Sequence, residues 1–579
     1  MAIMRDIMRG IMRDIMRGVM DGIGGIARIF FAPLTNSLIP TTAVDKTYTF
    51  TRNDTDATVT DFEGLVKNVT ANEARFVGAR RVHNLATGLV TETITVISGN
   101  EYQVTIAGGS GDTAVASGAF TGTLTANGTN RISWNSGTPK TAGSTSLTLT
   151  VTGTLTQMLV EDVTGQANQN PSENVEIGAE HGTNVGNVKY FNYENGNTVS
   201  AGGVVTEAQG TAIAAATLKG VLVEEARTNG IADSEDFSAW TLTGGMVVTT
   251  NTQVAPSGQQ TADNLNDPGA SFSSVDSSSV AIINNAKVSA SIYVKKDAIP
   301  AATRFGLYRI EMSGGTLIRI DLTFDTSTGE VFANVLSGSG TILSFGSELI
   351  STPGGDYYKF SLVGVNDATG NNSARTQFFP AVGSGLISGP ISAAVTGSMD
   401  VWGAQLEVGS FISSYIPTSG AAATRNVEAL SYPNTNILDA EGTLALSFTP
   451  NGSTAQYVAR AVDSAIIGVR GTNIDVLYID DTSGEVALAD GTSVTTITAM
   501  PSLVAGTSVK LAGRWSAISS LMKINQDGTE NEAAFDGSMN KSAAMTIGYS
   551  GANRANGTYK NISLYDGAVD DPTFTGLTT

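Results

Sequence analysis

The chain contains no cysteine, which excludes disulfides, thiolate metal sites and thiol nucleophiles. Histidine occurs only at His83 and His181. Each sits beside a loop signal, Asn84 or Gly182, so both read as structural or solvent-facing. Charged residues are 15% of the chain, well under the usual share of about 25%, and the surplus is acidic. With 33 Lys and Arg against 53 Asp and Glu, the net charge of −20 repels phosphate backbones and argues against nucleic acid as a partner. No apolar run approaches the length of about 18 residues that a spanning helix needs. Arg or Asp interrupts the N-terminus every few residues, which does not suit a secretory signal. Neither a calcium loop of the D-x-[DN]-x-[DN]-G kind nor a G-x-S-x-G elbow is found. No cofactor and no metal site are expected.

What fills the chain is Gly, at 65 residues, with Thr, Ser, Asn and Val. That mixture disfavours long helices and suits short strands joined by tight turns. From about residue 40 the apolar residues fall at every second position. Thr47-Tyr48-Thr49-Phe50-Thr51, Ser146-Leu147-Thr148-Leu149-Thr150-Val151 and Ile318-Arg319-Ile320-Asp321-Leu322-Thr323-Phe324 all follow this pattern. Asn127-Gly128, Asn195-Gly196 and Asp490-Gly491 supply turn signals between such runs. The expected fold class is all-β, several antiparallel β-sandwich or jelly-roll domains in tandem, with a short N-terminal α-helix.

That helix is read from a four-residue repeat. Ile3, Ile7, Ile11 and Ile15 form one row, and Met4, Met8, Met12 and Met16 the row beside it. A step of four residues advances about 400°, so the rows drift slowly around a helix. Arg5, Arg9, Arg13 and Arg17 form a third row, with Asp6 and Asp14 at turn spacing to pair with Arg9 and Arg17. Three readings stay open: a plug into a larger assembly, in which the Ile and Met rows anchor and oligomerise the chain; a helix packed on its own protein; and a helix lying on a membrane surface.

The expected organisation is an anchor over 1–31, a first sandwich over 79–178, a second over 226–425 and a third over 432–579. A β-rich connecting region, 32–78 and 179–225, is interrupted by the first sandwich. The first two modules share opening and closing signals. Ala79-Arg80-Arg81-Val82-His83-Asn84-Leu85 opens one and Ala226-Arg227-Thr228-Asn229-Gly230-Ile231 the other; Val151-Thr152-Gly153-Thr154-Leu155 closes the first near Glu161, and Val395-Thr396-Gly397-Ser398-Met399 the second near Glu407. An exit loop with a proline follows each, Asn170-Pro171-Ser172 and Ile416-Pro417-Thr418.

Some of these residues resemble a pattern of tailed-bacteriophage tail and fibre proteins. They are Gly220-Val221-Leu222-Val223-Glu224-Glu225-Ala226-Arg227-Thr228-Asn229, Ser234-Glu235-Asp236-Phe237, Ala239-Trp240, Val401-Trp402-Gly403-Ala404-Gln405-Leu406-Glu407, Ser414-Tyr415-Ile416-Pro417-Thr418 and Glu73-Ala74-Arg75-Phe76. The C-terminal unit, closing on Asn561-Ile562-Ser563-Leu564-Tyr565, resembles a concanavalin A-like lectin/glucanase (laminin G-like) sandwich. The resemblance implies a virion structural protein on the particle surface, a tail fibre or receptor-binding component that attaches to host cell-surface glycan. It also implies a homo-oligomer, a trimer by analogy with fibres, docked on portal, tail or capsid proteins. A capsid fibre or decoration protein and a polysaccharide depolymerase are the alternatives.

No catalytic residues are expected. Glycoside hydrolysis needs two carboxylates at a set separation. The doublets Glu161-Asp162, Glu224-Glu225, Asp480-Asp481 and Asp570-Asp571 would point to opposite faces of a strand. The E-x-D-x-x-E signature of glucanases that share the lectin-like fold is missing from 432–579. Trp134, Trp240, Trp402 and Trp515 suit core packing. Tyr357 and Tyr358 follow Gly354-Gly355-Asp356, where one ring is expected to face out as a ligand platform.

Overall fold

A computed structural model describes residues 26–43, 45–178, 187–269, 272–297, 305–383, 395–433, 439–460, 462–468, 477–490, 500–539, 544–550 and 553–579. The anchor positions Ile3, Met4, Ile7, Met8, Ile11, Met12, Ile15 and Met16, with His181, lie outside the described residues. Strands take 49% of the chain and helices 4%, which makes the fold all-β. The chain forms two compact units. Of the described residues, one unit takes those up to Thr51, Lys219–Glu225 and Glu428–Thr579; the other takes Arg52–Leu218 and Ala226–Val427.

The first unit grows from the strand Gly557–Tyr565. It pairs antiparallel with Arg28–Ala32, Gly220–Val223 and Glu441–Pro450. Val509–Ser516, Leu521–Gln526 and Thr529–Ala534 extend the sheet beyond Glu441–Pro450. A second sheet runs Thr49–Thr51, Ala429–Pro433, Ala544–Ile547, Ser464–Gly468, Leu477–Ile479, Val486–Leu488. The sheets meet at Gly513, where any Cβ would press on Leu488 and Leu477. Residues 28–31, expected in the helical anchor, are therefore strand. The reason is packing: Phe30 is buried and meets the Tyr432 ring edge-on at 5.1 Å.

The second unit holds two sandwiches. In the first, Gly122–Thr125, Thr113–Gly118, Ser146–Thr152 and Glu92–Thr95 form one sheet; Lys140–Thr141, Glu101–Gly108 and Leu155–Asp162 form the other. Alternate residues such as Leu147, Leu149, Val104 and Ile106 fill the core with Trp134, while Thr93, Thr95 and Thr150 face water. In the second sandwich Lys287–Lys295, Gly355–Val365 and Gly397–Val408 lie inside a six-stranded sheet, with Phe305–Ser313 and Ile318–Asp325 inside the opposing one. Phe324 and Phe360 stack across its core at 4.1 Å.

The six-stranded sheet is covered on its outer face as well. Tyr293, Tyr357, Trp402 and Tyr415 cluster there with Val66, and Trp402 lies 4.7 Å from Tyr415 and 5.3 Å from Tyr293. This corrects the expected role of Tyr357 and Tyr358. Neighbouring rings do point to opposite faces, but both faces are buried. Tyr357, 0% exposed, donates its hydroxyl to the Val254 carbonyl at 2.7 Å. Tyr358, 7% exposed, belongs to the inner core.

Two buried asparagines close the two sandwiches in the same way. Asn84 donates to the carbonyls of Met158 (2.8 Å) and Val175 (2.9 Å) and accepts from the amides of Ala86 and Val160, both at 3.0 Å. Asn229 donates to Ala404 (3.1 Å) and Ile416 (3.0 Å) and accepts from Ile231 (3.2 Å) and Leu406 (3.1 Å). The residue after each asparagine donates its amide to the closing strand, Leu85 to Val160 and Gly230 to Leu406. On that strand Glu161 accepts the Ser172 amide and Glu407 the Ser413 amide, which fixes each exit loop. Glu73-Ala74-Arg75-Phe76 joins the second of these brackets, because Arg75 donates to the Ser414 hydroxyl at 2.5 Å.

Each asparagine satisfies four main-chain groups that have no ladder partner. Unpaired buried groups cost about 1–3 kcal/mol each, partly recovered by relaxation. Asn229→Ala is expected to destabilise the second unit by about 3–5 kcal/mol in urea unfolding. Thr150→Ala, on an exposed sheet face, should stay within about 0.5 kcal/mol of the parent.

Candidate functional site

The second unit carries a pocket of about 190 Å³ that begins at a tight turn, Asp61–Gly64. The Asp61 carboxylate accepts the amides of Glu63 and Leu65, both at 2.9 Å. Gly64 closes the turn at φ +76°, and a Cβ there would collide with the Ser351 carbonyl. The turn projects Phe62 and Glu63 into the pocket. The first sandwich's exit loop supplies the facing wall with Gln166, Ala167 and Asn168, and the Ala167 amide donates to Glu63 at 3.3 Å. Glu194 and Asn195 come from the strand Tyr193–Asn195, and Arg80 and Arg81 from the strand Arg80–His83.

The two arginines are already engaged. Arg81 binds Glu73 through a fork, Nε to Oε1 at 2.6 Å and Nη2 to Oε2 at 2.8 Å. Tyr190 and the Thr70 amide also donate to Glu73. Burial pushes the Glu73 carboxyl up, but these donors outweigh it and hold it at about 2. Arg80 pairs with Glu173 at 2.5 Å and lies over the Phe191 ring at 4.5 Å. Asn168 and Asn195 spend their NH₂ groups on main-chain carbonyls, each at 2.7 Å. His83, on the strand that carries both arginines, falls to about 4 through burial and then the Arg81 charge, so its imidazole is neutral at pH 7.

What the pocket offers a ligand is therefore acceptor oxygen. Burial and then the neighbouring Asp61 charge push Glu63 up to about 7; burial pushes Asp61 to about 6 against the pull of Lys67 and two amides. Glu194 adds a third, exposed carboxylate. Glu194 and the ionised fraction of Glu63 accept from a small ligand's hydrogen-bond donors, the protonated fraction of Glu63 adds a donor, and Phe62 offers a ring face. The volume is below the roughly 300–1,000 Å³ of drug-sized sites and suits one compact polar group such as a single sugar ring.

Sequence reading did not find this pocket. Its wall residues come from four separate segments, and the one local signal was the Asp61-Phe62-Glu63-Gly64 turn itself. Tyr357 and Tyr358, which it did single out, are core residues and line no part of it.

In the first unit the carboxylates of Asp463, Asp480 and Asp481 converge, with ligand oxygens within 4.8 Å of one another. Main-chain donors account for much of this convergence. Asp480 accepts from the amides of Thr482 and Ser483, and Asp463 accepts from the amide of Asp481. Trp515 is fully buried and Trp134 and Trp240 nearly so, as core residues should be.

Glu63 makes the stability of the second unit pH-dependent. Its folded pKa of about 7 lies above the unfolded value of about 4.3, so the folded state binds the proton more tightly. Stability is then lost as pH rises from about 4.5 to about 7. Glu63→Gln is expected to remove that loss. In unfolding titrations the variant should match the parent at pH 4 and exceed it at pH 8 by on the order of 1 kcal/mol, after solvent screening. Equal stability at both pH values would refute the assignment.

No family model matches this sequence, and no curated protein matches it. Among solved structures, mouse laminin alpha1 chain domains LG4-5 align at 12% identity and a TM-score of 0.18, covering 56% of this chain and 92% of that one. A candidate carbohydrate-binding protein of Bacteroides ovatus aligns at 10% identity and a TM-score of 0.20, covering 60% and 84%. Trypanosoma rangeli sialidase aligns at 10% identity and a TM-score of 0.18, covering 87% and 98%.

Proposed function

We propose that the chain is a structural protein of a tailed-bacteriophage particle, a tail fibre or receptor-binding component. In this reading it holds host cell-surface glycan without cleaving it, and its N-terminal Ile and Met rows dock it on portal, tail or capsid proteins. The observation that carries the glycan part is the acceptor-lined pocket around Phe62, Glu63 and Glu194. Sugar hydroxyls are donors, and a pyranose face lies well on an aromatic ring. The virion part rests on the sequence resemblance, whose Glu73, Asn229 and Ser414 fragments meet in one scaffold.

A depolymerase is the second reading, and the raised Glu63 favours it. A carboxyl held near 7 beside a second carboxylate, Asp61, is the kind of group that donates a proton to a leaving oxygen. Release of reducing ends from host polysaccharide, lost in Glu63→Gln, would decide for it.

Two measurements test the proposal. Full-length protein is expected to bind surface polysaccharide purified from the infected host. Glu63→Gln with Glu194→Gln should weaken that binding by about tenfold, a loss of about 1.4 kcal/mol; unchanged binding by the double variant would remove the pocket from the reading. Deleting residues 2–25, which spares the strand Arg28–Ala32, should leave a folded protein that no longer enters particles. Normal incorporation would refute the anchor.

A further inference from the structure

The second sandwich is open along one side. Val331–Ser337 ends one of its sheets and Thr341–Thr352 ends the other. Among the described residues neither strand has a partner on its outer edge. The register places Phe345 opposite Leu362 and Leu349 opposite Tyr358, both core residues, so Phe345 and Leu349 point to the core side. They are nevertheless 45% and 47% exposed. Val335, opposite the core residue Ile320, is 36% exposed. An apolar interior thus reaches solvent at the same place where two rows of main-chain donors and acceptors end.

Natural edge strands are protected by charge, proline or shortness. Residues 331–352 have no proline and one charged side chain, Glu348, and the edge strand is 12 residues long. A bulge between Ile342 and Ser344 bends it without adding charge. Its last residues are closed off, where Gly64 packs on Ser351, and the Ser347 hydroxyl donates to the Gly329 carbonyl at 2.6 Å.

We propose that this edge is a contact between two copies of the chain, joined antiparallel about a twofold axis. Three features favour a second copy. The missing partner must itself offer a strand edge, and an identical edge does so over the full length. A chain of net charge −20 repels its copies except through a face with almost no charge. The available area also suffices. Nine free residues, 341–349, span about 30 Å, and two sheets with their side chains stand about 20 Å high, giving about 600 Å² per copy. That makes about 1,200 Å² in total, the lower end of stable interfaces. This inference is independent of the glycan reading, and it departs from the trimer that the resemblance to fibre proteins implies.

The absence of cysteine gives a direct test, because a single introduced thiol can form only an intermolecular disulfide. Full-length Thr341→Cys, Ser344→Cys and Ser347→Cys are oxidised separately, with Thr150→Cys on the exposed face of the first sandwich as the control. At least one edge position is expected to yield a disulfide dimer on a non-reducing gel at several times the control level. Sedimentation should show an even-numbered assembly whose mass halves in Phe345→Lys with Leu349→Lys. A monomer at tens of micromolar overturns the proposal, as does a threefold assembly without crosslinks, whatever the lysine variant does. Crosslinks with a second, unrelated protein in place of the dimer would do the same.

Discussion

A sandwich must close on itself where its entering and leaving strands pass each other, and there the ladder leaves main-chain groups without partners. In this chain one amide side chain per sandwich supplies them. Asn84 and Asn229 are each buried and each bind two carbonyls and two amides, drawn from an entry strand, a closing strand and an exit loop. No other side chain serves as well. Aspartate has no donors, and glutamine is one methylene too long to reach groups two residues apart on a strand while staying in the same bracket. Because both sandwiches make the same four bonds, with the entry and closing-strand partners at matching offsets and exit loops of different length, the second unit reads as one design built twice at different lengths. Among the segments that resembled phage tail proteins, those around Asn229, Leu406 and Ile416 are parts of this bracket.

How far the sequence revealed the structure follows from where each partner lies. Alternation over runs such as Ile318–Phe324 showed strands with a buried face, because that signal is local. It could not show that the six-stranded sheet is buried on both faces. Ser289 and Ser291 are polar yet lie inside it, and the aromatic layer of Tyr293, Tyr357, Trp402 and Tyr415 is assembled from three strands and a loop. The burial of Tyr357 departs from expectation for that reason. The distant strands that join the first unit were illegible for a related reason. Its central strand Gly557–Tyr565 takes partners from near residue 30 and near residue 220, and nothing in a three- to five-residue strand names a partner hundreds of positions away.

The pocket depends on the same kind of distant assembly. The Asp61–Gly64 turn can be read locally, since aspartate capping two amides with a left-handed glycine is a recognisable turn chemistry. Its neighbours cannot. Burial raises Glu63 because an exit loop some hundred residues later folds over it and offers the Ala167 amide. The strong Glu73–Arg81 pair beside it was visible only as two members of a motif. Its low carboxyl pKa marks a structural ion pair, whereas burial raises Asp61 and Glu63.

Charge placement ties these features together. Arg52, Arg75, Arg80, Arg131, Arg309 and Arg425 are all buried, and they spend their donors inside the second unit on carbonyls, hydroxyls and carboxylates. Such arginines hold loops in place and contribute little positive potential at the surface. More carboxylates than arginines are buried with them, among them Glu73, Asp263, Glu311 and Asp321, so the acid excess that solvent meets comes from the composition and not from the burial of arginine. Anionic partners are disfavoured over most of that surface. A neutral hydroxyl-bearing ligand can still approach acceptor oxygens, and another protein surface can approach only where charge is missing. The placement of the remaining surface charge thus determines which parts of the outside are able to bind anything.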